Sequence, residues 1–193
     1  IRNLELFQST NPNGVSLIDV LDKTLTAMGG RMLKHWLAFP ERNLSKIEER
    51  LDLVEALTKD DSIKDKMANH LSEIVDIERI VAKIATQKIS PRALVQLGKS
   101  LDQVTEIKVD LLGHSSKKLK TLGAGFLDAG EVIKLIKSTL KPEAPVLLVK
   151  GEVIADGVNI ELDELRQLLH SGKEHLDSML ERESERTQIP SLK

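Results

Sequence analysis

The densest group of basic side chains lies just after His114, at Lys117, Lys118 and Lys120. Lysine ammonium groups bind nucleic-acid phosphates without reading the base sequence, so these three lysines are candidates for contacts with DNA phosphates. The same pattern is also typical of a solvated helix start. The whole chain carries 28 Lys+Arg and 30 Asp+Glu, a net charge of −2. This balance provides no global basic field that would attract a polyanion.

No other group of residues has the spacing of a catalytic or cofactor site. Gly125 and Gly130 have the spacing of a phosphate-binding loop, but Glu131 and Val132 follow where that loop requires Lys and Ser or Thr. The motifs of dinucleotide-binding loops, serine-hydrolase elbows and zinc proteases are absent. The chain has no cysteine, which excludes disulfides and thiol catalysis. We therefore predict no catalytic, cofactor-binding or metal-ligating residue in this chain.

Aromatic residues are scarce, since the sequence has Phe7, Trp36, Phe39 and Phe126 and no tyrosine. A surface that stacks unpaired bases needs several aromatic side chains in a row. The composition therefore excludes such a platform within these residues. No run of the sequence approaches the roughly 18 apolar residues that a membrane-spanning helix needs, so no membrane partner is expected.

Apolar residues recur at helical spacing as far as residue 140, which predicts a bundle of helices. Thr26 is positioned to cap a helix from Ala27 to Ala38. Ser45 and Glu48 have the spacing of a capping box at the start of the next helix. Ser90 followed by proline predicts a further helix start, because proline is favoured at the first helical position.

Two features of the helix over residues 27–38 carry expectations about packing. Gly29 and Gly30 together cost this helix about 2 kcal/mol relative to two alanines, which indicates a close helix contact or a bend. Trp36, the only tryptophan, is expected in the core, where truncation would cost about 3–5 kcal/mol.

The character of the sequence changes at Pro142 and Pro145, which interrupt the helical pattern. The apolar residues 146–149, then residues 153–154 and the turn residues 156–157, predict a small β-hairpin. The predicted fold is therefore mainly α. It consists of a multi-helix core bundle with one small β-hairpin and a long, projecting C-terminal helix.

That last helix is predicted to begin after Asn159 and to run to about Arg186, a length of about 40 Å. Apolar and small residues recur along it at alternating steps of three and four, the rhythm of helix pairing. We call this row the seam; it consists of Leu162, Leu165, Leu169, Gly172, Leu176 and Met179. The pattern also fits an ordinary terminal helix. Alternatively, it predicts a rod that projects from the bundle and whose partner helix lies outside this sequence.

Several ordered segments go beyond this general pattern: residues 2–6, 16–26, 28–37, 76–80, 151–157, 161–166 and 181–187. Together they closely resemble the start of the core domain of the MutS family of bacterial DNA mismatch repair proteins, and they span the whole chain. The resemblance implies that residues 1–158 are the first part of the core domain. Residues 159–193 would then be the lever, the helix that leads from the core to a DNA clamp.

The resemblance also implies what the longer protein does. It would be an ATPase that uses ATP and Mg, binds mismatched duplex DNA as a homodimer, works with other repair proteins such as MutL, and resides in the bacterial cytoplasm at the nucleoid. The base-stacking phenylalanine of the family would lie upstream and the ATPase domain downstream. No residue here inherits either role, so this chain is expected to be a non-catalytic core and lever segment that couples the ATPase to the clamp.

Two other functions remain open from the residues alone. The chain could be a helical adaptor that binds a partner protein through the seam. It could also be an autonomous duplex-binding module that uses Lys117, Lys118 and Lys120. The sequence starts without methionine and stops at Lys193, and we expect it to be part of something longer.

Overall fold

The computed structural model describes residues 4–188, so Arg2 and Asn3 of the first family-like segment lie outside the described residues. The described part is mainly helical, as predicted. It divides into two compact units, residues 4–153 and 154–188. The helices are α1 Leu17–Leu21, α2 Ala27–Ala38, α3 Leu44–Thr58, α4 Asp61–Ser72, α5 Ile77–Ala85, α6 Pro91–Gly113, α7 Lys117–Ala124, α8 Gly130–Thr139 and α9 Ile160–Thr187.

Short polar side chains start several of these helices. The hydroxyl of Thr26 accepts the N–H of Gly29 at 3.0 Å, and the hydroxyl of Ser90 accepts the N–H of Ala93 at 3.3 Å. Both predicted caps are therefore confirmed. Asp60 caps α4 by accepting the N–H groups of Ser62 and Ile63. Each cap satisfies backbone donors that the first helical turn leaves without partners.

The prediction that Ser45 caps α3 was wrong. The cap is Asn43, whose side-chain oxygen accepts the N–H of Lys46 at 3.3 Å, so the helix begins at Leu44 and already contains Ser45. Glu41 supports this start, because its carboxylate accepts the N–H groups of Arg42 and Asn43. Asparagine competes well with serine for the cap position.

The core of residues 4–153 forms around α6, which contacts α4, α5, α7 and α8. Ile107 and Leu111 of α6 form a buried cluster with Ile74 and with Leu119 of α7, which is 0% exposed. Helix α7 approaches α6 closely at Gly123, where an added Cβ would lie 2.9 Å from Cβ of Leu111. Glycine is required there because no side chain fits that gap.

The structure corrects two packing predictions for α2. Trp36 is 41% exposed and does not lie in the core; the guanidinium carbon of Arg50 lies 3.8 Å from the centroid of its ring. The glycine pair faces the turn that precedes α2, since a Cβ at Gly29 would lie 3.1 Å from Oγ1 of Thr26. The close approach is therefore to the local turn. A helical period shows which face is apolar, but it does not show whether another element covers that face.

The predicted β-hairpin was wrong. Residues 146–149 form no strand, and Leu148–Lys150 is a short 3-10 turn. Gly151 and Glu152 follow with positive φ angles of 67° and 53°. The C=O of Val153 accepts the N–H of Lys141, two residues after the end of α8, at 2.9 Å. This segment therefore does not pair with residues 146–149 as the hairpin required. β-propensity alone did not identify the pairing partner.

Helix α9 confirms the predicted last helix. The side-chain oxygen of Asn159 accepts the N–H of Leu162 at 3.0 Å, and the helix runs for 28 residues from Ile160 to Thr187. At ~1.5 Å per residue it is about 42 Å long. Its base is held within residues 154–188 by Arg166, which donates to the side chains of Asp156 and Asp163 and to the C=O of Ile154.

Candidate functional site

The three candidate lysines lie on α7 and are all exposed. Leu119 stands between Lys118 and Lys120 and is fully buried, so packing of this leucine against α6 turns its neighbours toward solvent. The start of α7 is fixed by His114, whose Nδ1 accepts the N–H of Ser116 at 2.9 Å. The structure thus presents the lysines on one short helix anchored in the core.

Acidic residues of α3 lie opposite these lysines. Nζ of Lys118 lies 2.7 Å from Oδ2 of Asp52. An open groove of about 630 Å³ is lined by Glu48, Glu49 and Asp52 on one side and by Lys117 and Lys118 on the other. The hydrogen bond and charge of Asp52, with Glu49 nearby, raise the pKa of Lys118 above its ordinary value. This charge pairing reduces the attraction that Lys118 can offer to a phosphate.

Sequence reasoning missed this acidic face, although a signal was present. Glu48, Asp52 and Glu55 follow one another at steps of four and three, which places them on one face of a helix. Nothing in the sequence indicates that this face lies beside α7, because α3 and α7 are separated by three other helices.

A second polar link joins α4 to the start of α7. Nε2 of His114 lies 3.2 Å from Oδ2 of Asp60, while its other ring nitrogen accepts from Ser116. This pattern assigns the hydrogen of the neutral ring to Nε2. The backbone N–H of Ile63 and the side chain of His114 lower the pKa of Asp60 below its ordinary value.

The structure also brings together two of the family-like segments. Arg31 of α2 binds Asp76, the cap of α5, with two parallel contacts of 2.7 and 2.8 Å, and its Nε lies 3.1 Å from Oε2 of Glu78. The hydrogen bonds that Arg31 donates to Asp76 and Glu78 raise the pKa of Arg31. The Arg31 guanidinium in turn lowers the pKa of Asp76 to about 2. This fork geometry joins α2 to the start of α5.

The glycine-containing segment 125–130 is not shaped for an anion. Oδ1 of Asp128 accepts the N–H of Gly130 at 2.9 Å, so a carboxylate occupies the start of α8. A phosphate placed there would meet like charge. These residues therefore do not fit the ATP that the family resemblance implies for the longer protein.

Within residues 4–188, no group of three or more His, Asp or Glu side chains is arranged to hold a metal ion. No helix in the same range is long and apolar enough to cross a membrane.

The seam on α9 is largely uncovered. Leu165, Leu169 and Leu176 are 57%, 77% and 66% exposed, Met179 is also exposed, and Leu162 near the base is half-buried. A Cβ added at Gly172 would meet nothing within 4 Å. The described residues thus present an apolar row with an open position in its middle.

The fold and these surfaces define a helical scaffold that ends in a long, capped helix with an exposed apolar row. A family model described as MutS domain III matches residues 1–186. The chain belongs to the MutS family, and the family predicted from the sequence is confirmed.

Individual relatives agree with this assignment. The chain is 46% identical over 193 residues to the DNA mismatch repair protein MutS of Christiangramia forsetii. It is 47% identical to the protein of the same name from Flavobacterium johnsoniae and 44% identical to that from Phocaeicola vulgatus. Each comparison covers 100% of this chain and 22% of the relative. The chain therefore spans about a fifth of the length of the curated relatives it matches.

Proposed function

We propose that this chain is the core and lever segment of an ATP-dependent DNA mismatch-recognition protein. Residues 1–158 act as the first part of the core domain and residues 159–193 as the lever. The chain itself is non-catalytic and couples an ATPase to a DNA clamp, both of which lie in the rest of the longer protein. The observation that carries this proposal is the MutS domain III match over residues 1–186, which includes α9 as far as Arg186.

The build of α9 supports the lever role. The start of α9 is held in place by Arg166. Its guanidinium nitrogens lie 2.9 Å from Oδ1 of Asp156 and 3.0 Å from the C=O oxygen of Ile154. A stiff helix converts a small rotation at its base into a larger displacement at its tip, whereas a flexible loop absorbs the rotation. About 42 Å of continuous helix therefore suits the transmission of a nucleotide-dependent movement.

The longer protein supplies the chemistry and the remaining partners in this proposal. ATP and Mg bind to its ATPase domain, mismatched duplex DNA binds to its clamp and mismatch-reading domains, and it acts as a homodimer with repair partners such as MutL. A DNA repair role places it in the bacterial cytoplasm at the nucleoid.

The first test uses this chain alone. We expect no ATP hydrolysis and equal binding of mismatched and matched duplexes, measured by fluorescence anisotropy with labelled oligonucleotides. A reproducible preference for the mismatched duplex would contradict the proposal, because it would place mismatch reading within these residues.

The second test addresses coupling. The corresponding segment of the Christiangramia forsetii relative is replaced by this chain, and Gly172 is changed to proline or, as the matched control, to alanine. Proline interrupts α9 and costs about 3 kcal/mol, whereas alanine favours the helix. We expect the proline chimera to keep basal ATP hydrolysis and to lose its response to mismatched DNA. An unchanged response in the proline chimera would contradict the lever role.

A helical adaptor is the second candidate, and the exposed seam favours it. Replacing Leu165, Leu169 and Leu176 together by alanine would then abolish a stoichiometric complex with a partner protein. Such a complex is compatible with the lever role, since the longer protein can supply its own second helix.

The duplex-binding alternative is less well supported, because Asp52 pairs with Lys118. If Lys117, Lys118 and Lys120 each neutralised one phosphate, the logarithm of the binding constant would fall with the logarithm of salt concentration at a slope of about −2.7. A slope near zero, or one unchanged when all three are replaced by alanine, removes this candidate.

A further inference from the structure

We propose that Arg166 is a positioning residue that stiffens the entry to α9, so that a rotation of the chain before the helix reaches the helix itself. The chain enters α9 through residues 154–158, which precede the Asn159 cap and which we call the entry turn. This inference rests on the proposed lever role, because it names the residue through which the lever is turned. Arg166 acts through the groups that it holds and is not a catalytic residue.

The entry turn is the place where such a rotation would be lost. Gly157 has a φ of 83°, which lies in the left-handed region where glycine is favoured. A Cβ added at Gly157 would meet nothing within 4 Å, so packing does not hold the turn at this position. A joint of this kind absorbs a rotation unless other contacts fix it.

Arg166 supplies contacts that fix the joint. Nη1 of its guanidinium lies 2.9 Å from Oδ1 of Asp156 and 3.2 Å from Oδ1 of Asp163, and Nη2 donates to the C=O of Ile154 at 3.0 Å. Two of these three groups belong to the entry turn and the third belongs to α9. The side chain of Arg166 is only 21% exposed, so salt screens its ion pairs less than it screens pairs at the open surface.

Asp163 completes the connection from the side of the helix. Its Oδ2 accepts the N–H of Gly157 at 2.7 Å, while its Oδ1 faces Arg166. The two oxygens of one carboxylate therefore join the left-handed glycine of the entry turn to the guanidinium that holds the rest of the turn. Groups of residues 154, 156 and 157 are in this way all fixed to the first two turns of α9.

The geometry of these contacts requires arginine. A guanidinium presents several N–H donors in one fixed plane, whereas a lysine ammonium is a compact charge on a flexible stem. Lysine at position 166 keeps the positive charge and has a helix propensity close to that of arginine. It loses the simultaneous contact with the two carboxylates and the C=O of Ile154. Arg166→Lys therefore separates the positioning role from charge and from helix formation.

The test uses the chimera in which this chain replaces the corresponding segment of the Christiangramia forsetii relative. Arg166→Lys is compared with Arg182→Lys, the same substitution at an exposed arginine farther along α9. We expect Arg166→Lys to match the control in basal ATP hydrolysis, helix content and midpoint of thermal unfolding. It should nevertheless lose most of its response to mismatched DNA. A merely structural role would lower the unfolding midpoint and basal hydrolysis together.

The outcomes distinguish this inference from the lever role itself. If Gly172→Pro loses the response while Arg166→Lys keeps it in full, the positioning role of Arg166 is overturned and the lever role stands. A full response in both variants would contradict the lever role and this inference with it. Equal losses of response in Arg166→Lys and Arg182→Lys would also overturn the inference, because the effect would not be specific to the entry turn.

A second variant covers the case in which Arg166→Lys does not fold. The side chain of Asp156 is 75% exposed and precedes α9, so Asp156→Ala removes one contact of Arg166 and leaves the helix intact. Asp177→Ala, at an exposed aspartate of α9, is the matched control. Hydrogen exchange of the whole chain is expected to be about two- to tenfold faster at residues 154–158 in Asp156→Ala than in the control. Equal exchange rates in the two variants would overturn the inference.

Discussion

Residues 4–153 and helix α9 use the same apolar period with opposite outcomes. In the first region Leu111 of α6 and Leu119 of α7 enter a core, where they are 2% and 0% exposed. In α9, leucines at comparable spacing remain open to solvent. The difference is the presence of neighbouring helices, because α6 contacts four others. Periodicity therefore identifies an apolar face, and only a partner decides whether that face becomes a core.

The two regions are consequently stabilised by different interactions. Burial of apolar side chains contributes most of the stability of residues 4–153. Helix α9 depends more on its own sequence, through the Asn159 cap and local ion pairs such as Arg186 with Glu183. A cap contributes about 0.5–2 kcal/mol. A local ion pair contributes about 0.2–0.5 kcal/mol. The following predictions test this contrast, beginning with the largest effect.

Leu119→Ala should have the largest effect. Removing a fully buried leucine costs about 2–5 kcal/mol in the free energy of unfolding. Urea denaturation followed by Trp36 fluorescence and far-UV circular dichroism measures this loss. Leu169→Ala is the matched substitution on the exposed seam, and in dilute protein it should change the free energy by less than about 0.5 kcal/mol. Equal losses in the free energy of unfolding at the two positions would contradict the difference between the buried core and the exposed α9.

Replacing two helical glycines by alanine should change the free energy of unfolding in opposite directions. At Gly123 the new Cβ would lie 2.9 Å from Cβ of Leu111, and such overpacking costs about 1–3 kcal/mol. At Gly172 nothing lies within 4 Å, so alanine gains up to about 1 kcal/mol of helix propensity in the monomer. Thermal unfolding of the two variants distinguishes these outcomes. A stabilising Gly123→Ala substitution would show that α6 and α7 are not closely packed.

The Arg31 contact with Asp76 predicts a pH dependence in residues 4–153. The folded-state pKa of Asp76 is about 2, below the value of about 3.9 in an unfolded chain. Its stabilising contribution is therefore present above about pH 4 and is lost as the pH falls toward 2. In Arg31→Met the carboxyl pKa should rise toward about 3.9, as measured by carbon NMR of the Asp76 carboxyl group.

The difference in the free energy of unfolding between Arg31→Met and the unmodified chain should shrink as the pH falls from about 4 toward 2. Arg42→Met is the control, because Arg42 is exposed, whereas the arginines that pair with Asp76 are Arg31 and Arg79. That variant should leave the Asp76 pKa near 2. If Arg31→Met also leaves it near 2, the contact with Arg31 does not set the acidity of this carboxyl group.

Features that depend on neighbouring residues in the chain could be predicted. The caps at Thr26, Ser90 and Asn159 and the starts of their helices follow from side chains that reach the backbone three residues ahead. Where two local candidates competed, the prediction failed, as it did when Asn43 rather than Ser45 capped α3. The seam residues were identified from spacing alone, and their pairing role remains a prediction.

Features that depend on distant residues could not be predicted. Asp52 beside Lys118, and Arg31 beside Asp76 at a separation of 45 residues, follow from helix packing that no local pattern encodes. The same reason explains the hairpin error, since Val153 pairs with Lys141. Trp36 was placed in the core because it is large and apolar, but its helix leaves that face partly uncovered.

The sequence by itself determined the family, through the ordered segments that resemble it. It also determined the mainly helical class, the starts of α2, α6 and α9 and the apolar row along α9, because these depend on local side-chain and backbone chemistry. The tertiary structure alone decided which faces became a core, which charges were paired and which leucines stayed exposed. Burial and ion pairing require groups that are far apart in the chain to meet. Only the packing of the helices brings such groups into contact, and no local sequence pattern shows which of them will be neighbours.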